Sequence, residues 1–389
     1  MKKDLRRKIE KAQYVSLCAD FWTGKNSIGY LGITATILEN GKRSNFLIGL
    51  RHVEHPHTAS VVQTSIEKVI SEFGLSNLDD AKLVSISTDN GSNMVAGIKN
   101  FVSFPGEFEN VEPSDDDEDY LDDESDEEIE DVFSRISYKK RIACTNHILN
   151  NNLKYGIKHT QNVSTLMIEA KDKIKSLKNI GVVVDFMVKN KLSKFKLPPL
   201  TRWQYFFEMT NALISLKSKM PEICSLAKVD NLTISQYEKI ESLNKILTIY
   251  AHQIKRFEAN DSKLSDAIPA LLNLIAELDD HSVDHFEFVS NLKRDLIKRT
   301  KCIFDPTCTT FNSIFSIATY TDPSVRKYFG ASIQGVNMEF LKEFVRNKLK
   351  KITSKPEDQM QPKVSKVSFS KLDSILSSEN LPRQDELLK

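Results

Sequence analysis

The chain has 389 residues, 40% of them hydrophobic, which is enough for two domains with cores of their own and excludes disorder throughout. No run approaches the roughly 18 to 20 apolar residues that a membrane-spanning helix needs. The charged start, MKKDLRRKIEKAQ, has no apolar stretch behind it, so a soluble protein without an obvious secretory leader is expected.

The net charge of +1 hides an uneven distribution. No basic residue lies between Lys99 and Arg135, while Glu107 to Asp131 holds sixteen acids. With those sixteen taken from the 53 acids, 37 remain against 54 basic residues, an excess of 17. Such an excess suits a nucleic-acid partner and equally suits helices coated for solubility. The five cysteines (Cys18, Cys144, Cys224, Cys302, Cys308) are widely and irregularly spaced with no C-x-x-C pair. That pattern points to a reducing compartment and away from a disulfide framework or a self-contained zinc finger. Cys224, Cys302 and Cys308 read as buried apolar residues.

In chain order, YVSLCADFW is a short apolar and aromatic run, followed by the TGKNS turn signal and then by YLGITATILE. NGKR makes a second turn before SNFLIGLRHVE, so three strands in an antiparallel meander are expected. Thr58 is placed to cap a helix whose apolar positions Val61, Val62, Ile66, Val69, Ile70 and Phe73 fall three and four apart, and which stops at Gly74. LVSISTDN reads as a fourth, buried strand ending in Asp89. The segment SDDDEDYLDDESDEEIED cannot bury enough apolar surface to order itself, and residues 104–134 are expected to form a disordered loop. Beyond it the periodicity is helical, in segments such as TQNVSTLMIEAKDKIKSL, YEKIESLNKILTIYAHQIKRFE and AIPALLNLIAELDD. Residues from about 353 onward form a polar, proline-containing tail.

Asp20 is read at the end of the first strand and Asp89 at the end of the fourth. Carboxylates at strand ends of one sheet can converge, and two or three of them can hold divalent ions for phosphodiester chemistry. Taken alone, an aspartate after a strand is more often a turn former or a helix cap than a metal ligand. His52, His55 and His57 in RHVEHPHT form a second concentration of possible ligands. Pro56 is expected to hold that segment extended, with His55 and His57 to one side.

The ordered series CADFWTGKNSIGYLGITATIL, RHVEHPHTASVV, STDNGSNMVAGIKNF, CTNHILNNNL and LTRWQYFFEM resembles the hAT superfamily of transposases and their host-domesticated relatives, over about residues 14–330. The resemblance implies an α/β RNase H-like core, a mixed sheet with flanking helices, interrupted by a large all-α insertion domain. It implies that Asp20 and Asp89 correspond to the first two catalytic aspartates, with Mg2+ or Mn2+ as the ion if the protein is active. Cys144 and His147 match the C-x-x-H signature that supports the active site, and packing or orientation is favoured for them over metal binding. Arg202 and Trp203 match the RW motif that opens the helical insertion, with the indole a candidate stacking surface for an unpaired base and equally a core residue at a domain junction. FSIATYTDPSVRKYF resembles a helix-packing segment of the family in which Ser324 stands where an Arg is usual.

The expected division is therefore a first part of the core at 1–103, the acidic loop at 104–134, helices continuing the core at 135–200, the helical insertion at 201–352 and the tail at 353–389. Two features of the family are not found in the sequence. The third catalytic residue, a glutamate in an SER-x-FS context, has no counterpart, and Glu339, Glu343, Glu379 and Glu386 lack its flanking residues. The BED-type zinc finger is missing as well. A nuclear, DNA-binding, truncated or domesticated and catalytically inactive derivative is expected, with DNA and nuclear proteins as partners, no membrane association, and no homo-oligomer without the dimerisation region. A fragment of an active metal-dependent transposase and a non-enzymatic protein-interaction scaffold are the alternatives.

Overall fold

The computed structural model describes residues 2–24, 28–39, 42–75, 83–89, 91–99, 141–195, 197, 204–259, 261–280, 286–308, 311–330 and 337–352. The acidic segment 104–134, the pair Arg202 and Trp203, and the tail from 353 lie outside the described residues.

Alternation of apolar and polar residues gives β1 (Val15–Thr23) one buried edge: Val15, Leu17 and Ala19 are buried, while Ser16, Cys18, Asp20 and Trp22 take the other face. β1 pairs antiparallel with β2 (Gly29–Glu39), which pairs antiparallel with β3 (Lys42–Val53), forming the expected meander. After α2 (Ala59–Glu72) the chain returns as β4 (Leu83–Thr88), parallel to β1 on its far side. A three-residue β5 (Arg141–Ala143) adds a further parallel strand, so the order is β3-β2-β1-β4-β5 in a mixed sheet.

Thr58 caps α2 by accepting a hydrogen bond from Val61 N, and Gly74 after it takes φ +77°, a conformation that only glycine adopts without strain. The stripe Val62, Ile66, Val69 and Ile70 meets Leu31, Ile33 and Ile37 of β2 and Leu17 of β1 in the core of the sheet's covered face. α3 (Ser92–Lys99) adds Met94 and Ile98. It approaches α2 closely at Gly97, where a Cβ would fall 2.9 Å from the Ala59 carbonyl oxygen. α1 (Lys2–Lys11) covers the same core with Ile9 fully buried and Leu5 partly so, tied down by Lys2 to Glu72 at 2.7 Å.

The described residues divide into two compact units after Ile148. α4 (Thr145–His159) gives its first turn to the first unit and its remainder to the second.

All the described elements of the second unit are helical. α5 (Val163–Leu177), α6 (Gly181–Lys189), α7 (Tyr205–Ser215), α8 (Met220–Ala227), the long α9 (Ile234–Phe257), α10 (Ala267–Leu278), α11 (Glu287–Cys302), α12 (Ser313–Thr321) and α13 (Met338–Ile352) follow in order. α9 starts on a reciprocal cap in which Thr233 Oγ1 accepts from Gln236 N at 3.2 Å while Thr233 N donates to Gln236 Oε1 at 2.8 Å. α10 is buried almost all round, from Ala267 to Leu278, as expected of a helix without a polar face. Cys224 is buried, but Cys302 and Cys308 are only half-buried and meet each other where α11 ends, which their reading as simple core residues did not anticipate.

Candidate metal centre

Register, rather than sequence proximity, assembles the site. Parallel pairing sets Ala19 of β1 opposite Thr88 of β4, so the next residues, Asp20 and Asp89, emerge side by side. β4 and β5 pair Thr88 with Ala143, which brings Cys144 to the same end of the sheet. The Cys144 amide donates to the Thr88 carbonyl at 2.8 Å, and the Cys144 carbonyl accepts from Ile148 N at 3.1 Å. Cys144 thus sits at the strand–helix junction, and His147 lies in the first turn of α4. Ligand atoms of Asp20, Asp89 and His147 all fall within 4.8 Å of one another.

β1 runs on to Thr23 in its pairing with β2, so Asp20 is not at the strand's end, as its sequence context suggested. It stands instead where the parallel pairing with β4 stops.

Asp89 is held from two sides. Gly91 N donates to Asp89 Oδ1 at 3.1 Å, closing a local turn. Arg141, buried at the start of β5, donates through Nε to Thr88 Oγ1 at 2.8 Å and through Nη2 to the Asp89 carbonyl at 2.5 Å. Thr88 Oγ1 in turn donates to that same carbonyl at 2.9 Å. These bonds fix the backbone from which the Asp89 carboxyl projects.

Loss of water around the site dominates its electrostatics. Asp20 keeps an exposed edge, yet the protein crowded around its carboxyl pushes it above the ordinary carboxylate value; the charge of Asp89 pushes the same way and His147 pulls it down. Burial also raises Asp89, opposed by the Gly91 amide and by Arg141. Burial raises the Cys144 thiol, opposed by the backbone amides of His147 and Asn146. Arg141 is lowered by burial to about 10, with Asp89 opposing, and remains charged at neutral pH.

Two carboxylates crowded together with their charged forms disfavoured are the surroundings a cation relieves. Carboxylate oxygens suit Mg2+ and Mn2+, and an imidazole nitrogen suits Mn2+ and softer ions, so the donor set fits a divalent cation.

The HPH segment is arranged differently from its expected extended form. It bends at Pro56, with the rings of His55 and His57 stacked at 3.8 Å and His57 edge-on to Phe21. Among the described residues, these histidines do not join a group of three ligating side chains.

Sequence reasoning passed over two residues of the site. Arg141 belongs to none of the motifs of the ordered series, and its only signal is the RIA context directly before CTNH. Trp22 lies on the face of β1 that carries Asp20, 42% exposed and stacked on Tyr30 with centroids 5.8 Å apart. It lies over Gly32, the residue opposite Asp20, where a Cβ would come within 3.0 Å of the indole.

Residues 18–104 match the family model described as the ZBED1 RNase-like domain. No curated protein matches the chain significantly. The matched span begins in β1 and runs past α3, taking in Asp20, Asp89 and four of the five strands that hold them. Over these residues the match fits a hAT-type, ZBED-related transposase derivative.

Proposed function

We propose that the protein is a nuclear, DNA-binding derivative of a hAT transposase whose Asp20 and Asp89 hold a divalent cation but which does not by itself cleave and join DNA. In this reading the sheet-bearing unit is an RNase H-like core, and residues 201–352 correspond to the insertion domain that the family carries. The convergence of Asp20 and Asp89 at the end of the parallel pair β1 and β4 carries the proposal. Nuclear proteins are further partners.

Each residue has a role in that reading. Asp20 and Asp89 supply the carboxylate oxygens, and Mg2+ or Mn2+, when bound, supplies Lewis acidity and positive charge for a phosphodiester. Arg141 positions Asp89, and Cys144 sets the strand–helix junction from which His147 projects. Trp22, exposed beside the site, offers a face on which a base can stack, the role assigned on sequence to Trp203 with Arg202. The excess of basic residues outside the acidic segment supplies attraction to the DNA backbone. The expectation of no strand transfer is supported by the sequence, which has no glutamate in the SER-x-FS context that supplies the family's third carboxylate.

A labelled hairpin or nicked duplex, incubated with the full chain in Mg2+ or Mn2+, tests both halves. DNA binding that weakens steeply with salt, without cleavage or joining, is the expected result. Cleavage by the wild type that is lost in Asp89→Ala would make the protein an active transposase component. No binding at low salt would replace the DNA reading with a protein-interaction role.

A further inference from the structure

The acid pair belongs to the reading above, but the third member of the cluster is an imidazole, and that changes which ion the site prefers. We propose that His147 is a direct ligand of the cation held by Asp20 and Asp89, giving a two-carboxylate, one-imidazole site that takes Mn2+, Co2+ or Zn2+ in preference to Mg2+. The inference rests on the Asp20–Asp89 reading and adds a ligand and an ion preference to it.

Three observations carry it. The His147 ring nitrogen and the carboxylate oxygens of both aspartates lie within 4.8 Å of one another, so a side-chain adjustment of a few tenths of an ångström brings them inside the roughly 4.4 Å that two ligands about 2.2 Å from one ion can span. His147 is not on a mobile loop. It lies in the first turn of α4, whose entry is pinned by the Cys144 amide on the Thr88 carbonyl, next to the strand that delivers Asp89. The partner carboxylates are likewise set by backbone register, Asp20 by the β1–β4 pairing and Asp89 by the Gly91 and Arg141 bonds. A ligand set fixed in this way before the ion arrives loses little conformational freedom on binding.

The ion preference follows from the donors. Mg2+ favours an all-oxygen octahedral shell and dehydrates reluctantly, whereas imidazole nitrogen strengthens binding of transition ions and Zn2+. The C-x-x-H spacing acquires a division of labour from this. Cys144, held at the junction by its amide on the Thr88 carbonyl, shapes the turn, and His147, three residues on, presents a donor to the site.

The test uses the full chain stripped with a chelator and titrated with Mn2+, followed by electron paramagnetic resonance. Free-ion signal gives affinity, and pulsed measurements detect nitrogen coupled to the bound ion. The acidic run from Glu107 to Asp131 also attracts Mn2+ but offers only oxygen, so nitrogen coupling isolates the site. Wild type is expected to show one coupled nitrogen that disappears in His147→Ala, in His147→Gln and in Asp89→Asn. His147→Ala is expected to lose about tenfold or more in Mn2+ affinity with Mg2+ affinity changed by about twofold or less. His147→Gln, which keeps the bulk and an oxygen donor, separates lost ligation from lost packing, with thermal unfolding of each variant as the control. Binding that needs Asp20 and Asp89 but shows no coupled nitrogen, with His147→Ala unchanged, overturns the imidazole ligand and leaves the acid pair intact. Binding that is indifferent to both aspartates overturns the ion site itself and this inference with it.

Discussion

At the scale of single residues, Arg141 shows how one buried charge can organise a site it need not touch chemically. Its guanidinium spans Thr88 and Asp89 across two adjacent parallel strands, joining the end of β4 to the start of β5. A buried cation is costly unless it is hydrogen-bonded and near an opposite charge, and both conditions hold here. Arg141→Met keeps much of the apolar stem but removes the donors. It is expected to destabilise the protein by about 2–4 kcal/mol and to weaken Mn2+ binding. Arg141→Lys returns one charge without the planar fork and is expected to restore stability only in part. Urea unfolding alongside Mn2+ titration checks this. A stability loss with metal affinity unchanged would separate Arg141 from the site and leave it a purely structural residue.

At the scale of elements, the turn after α12 illustrates how a short polar cluster ends one helix and orders the next turn. Asp322 accepts from Ser324 N at 2.9 Å, Ser324 Oγ at 2.6 Å and Ser265 Oγ at 2.7 Å, with Lys263 Nζ at 3.7 Å. Ser324, standing where the resembled family segment has Arg, thus bonds the aspartate two residues before it directly. Partial burial pushes the Asp322 carboxyl up, but the Ser324 and Ser265 bonds and Lys263 together outweigh it and leave the group below its ordinary value. A carboxyl lowered in the folded state contributes stability above its unfolded value of about 4, and that contribution is lost as pH falls through the lowered folded value. Asp322→Asn is therefore expected to cost about 1–2 kcal/mol at pH 7, with the difference from wild type shrinking below about pH 4. Unfolding midpoints measured from pH 7 down to pH 3 follow it, and a gap that stays constant with pH would deny the carboxylate that role.

The same scale explains which parts of the fold could be read in advance. β1, β2 and β4 carry runs of apolar and β-branched residues between turn signals, and α2 carries a five-position apolar stripe behind a threonine cap, so local chemistry alone dictates them. α1 has only Leu5 and Ile9 facing the core along a lysine- and arginine-rich stretch, and its sequence shows only a charged start with no apolar stretch behind it. β5 is three residues long, begins with an arginine, and exists because β4 offers it an edge. The aspartates were recognisable as residue types, but their convergence depends on a parallel register that no local pattern encodes. His147 was recognisable only as part of a C-x-x-H spacing. Its place beside both carboxylates comes from β5, the element that was not seen.

At the scale of the whole molecule, charge is segregated along the chain, and this sets its relation to a polyanion. Sixteen acids crowd between Glu107 and Asp131, and the rest of the chain carries an excess of 17 positive charges. A covalently attached polyanion competes with DNA for such basic groups at an effective concentration that a free competitor cannot match. Removing residues 104–134 is therefore expected to tighten non-specific DNA binding most at low salt, where each neutralised phosphate releases a counterion and screening is weakest. In a titration series from about 50 to 200 mM salt, the deletion variant should bind more tightly throughout and show a steeper dependence on salt, since more of its basic groups reach phosphate. The two curves should converge as salt rises. Free acidic peptide of the same sequence, added back in trans, should weaken the variant's binding only at concentrations far above that of the protein. Equal affinities for the two chains at low salt would show that the acids do not compete with DNA, and would leave the segment as a spacer or a site for a basic protein partner.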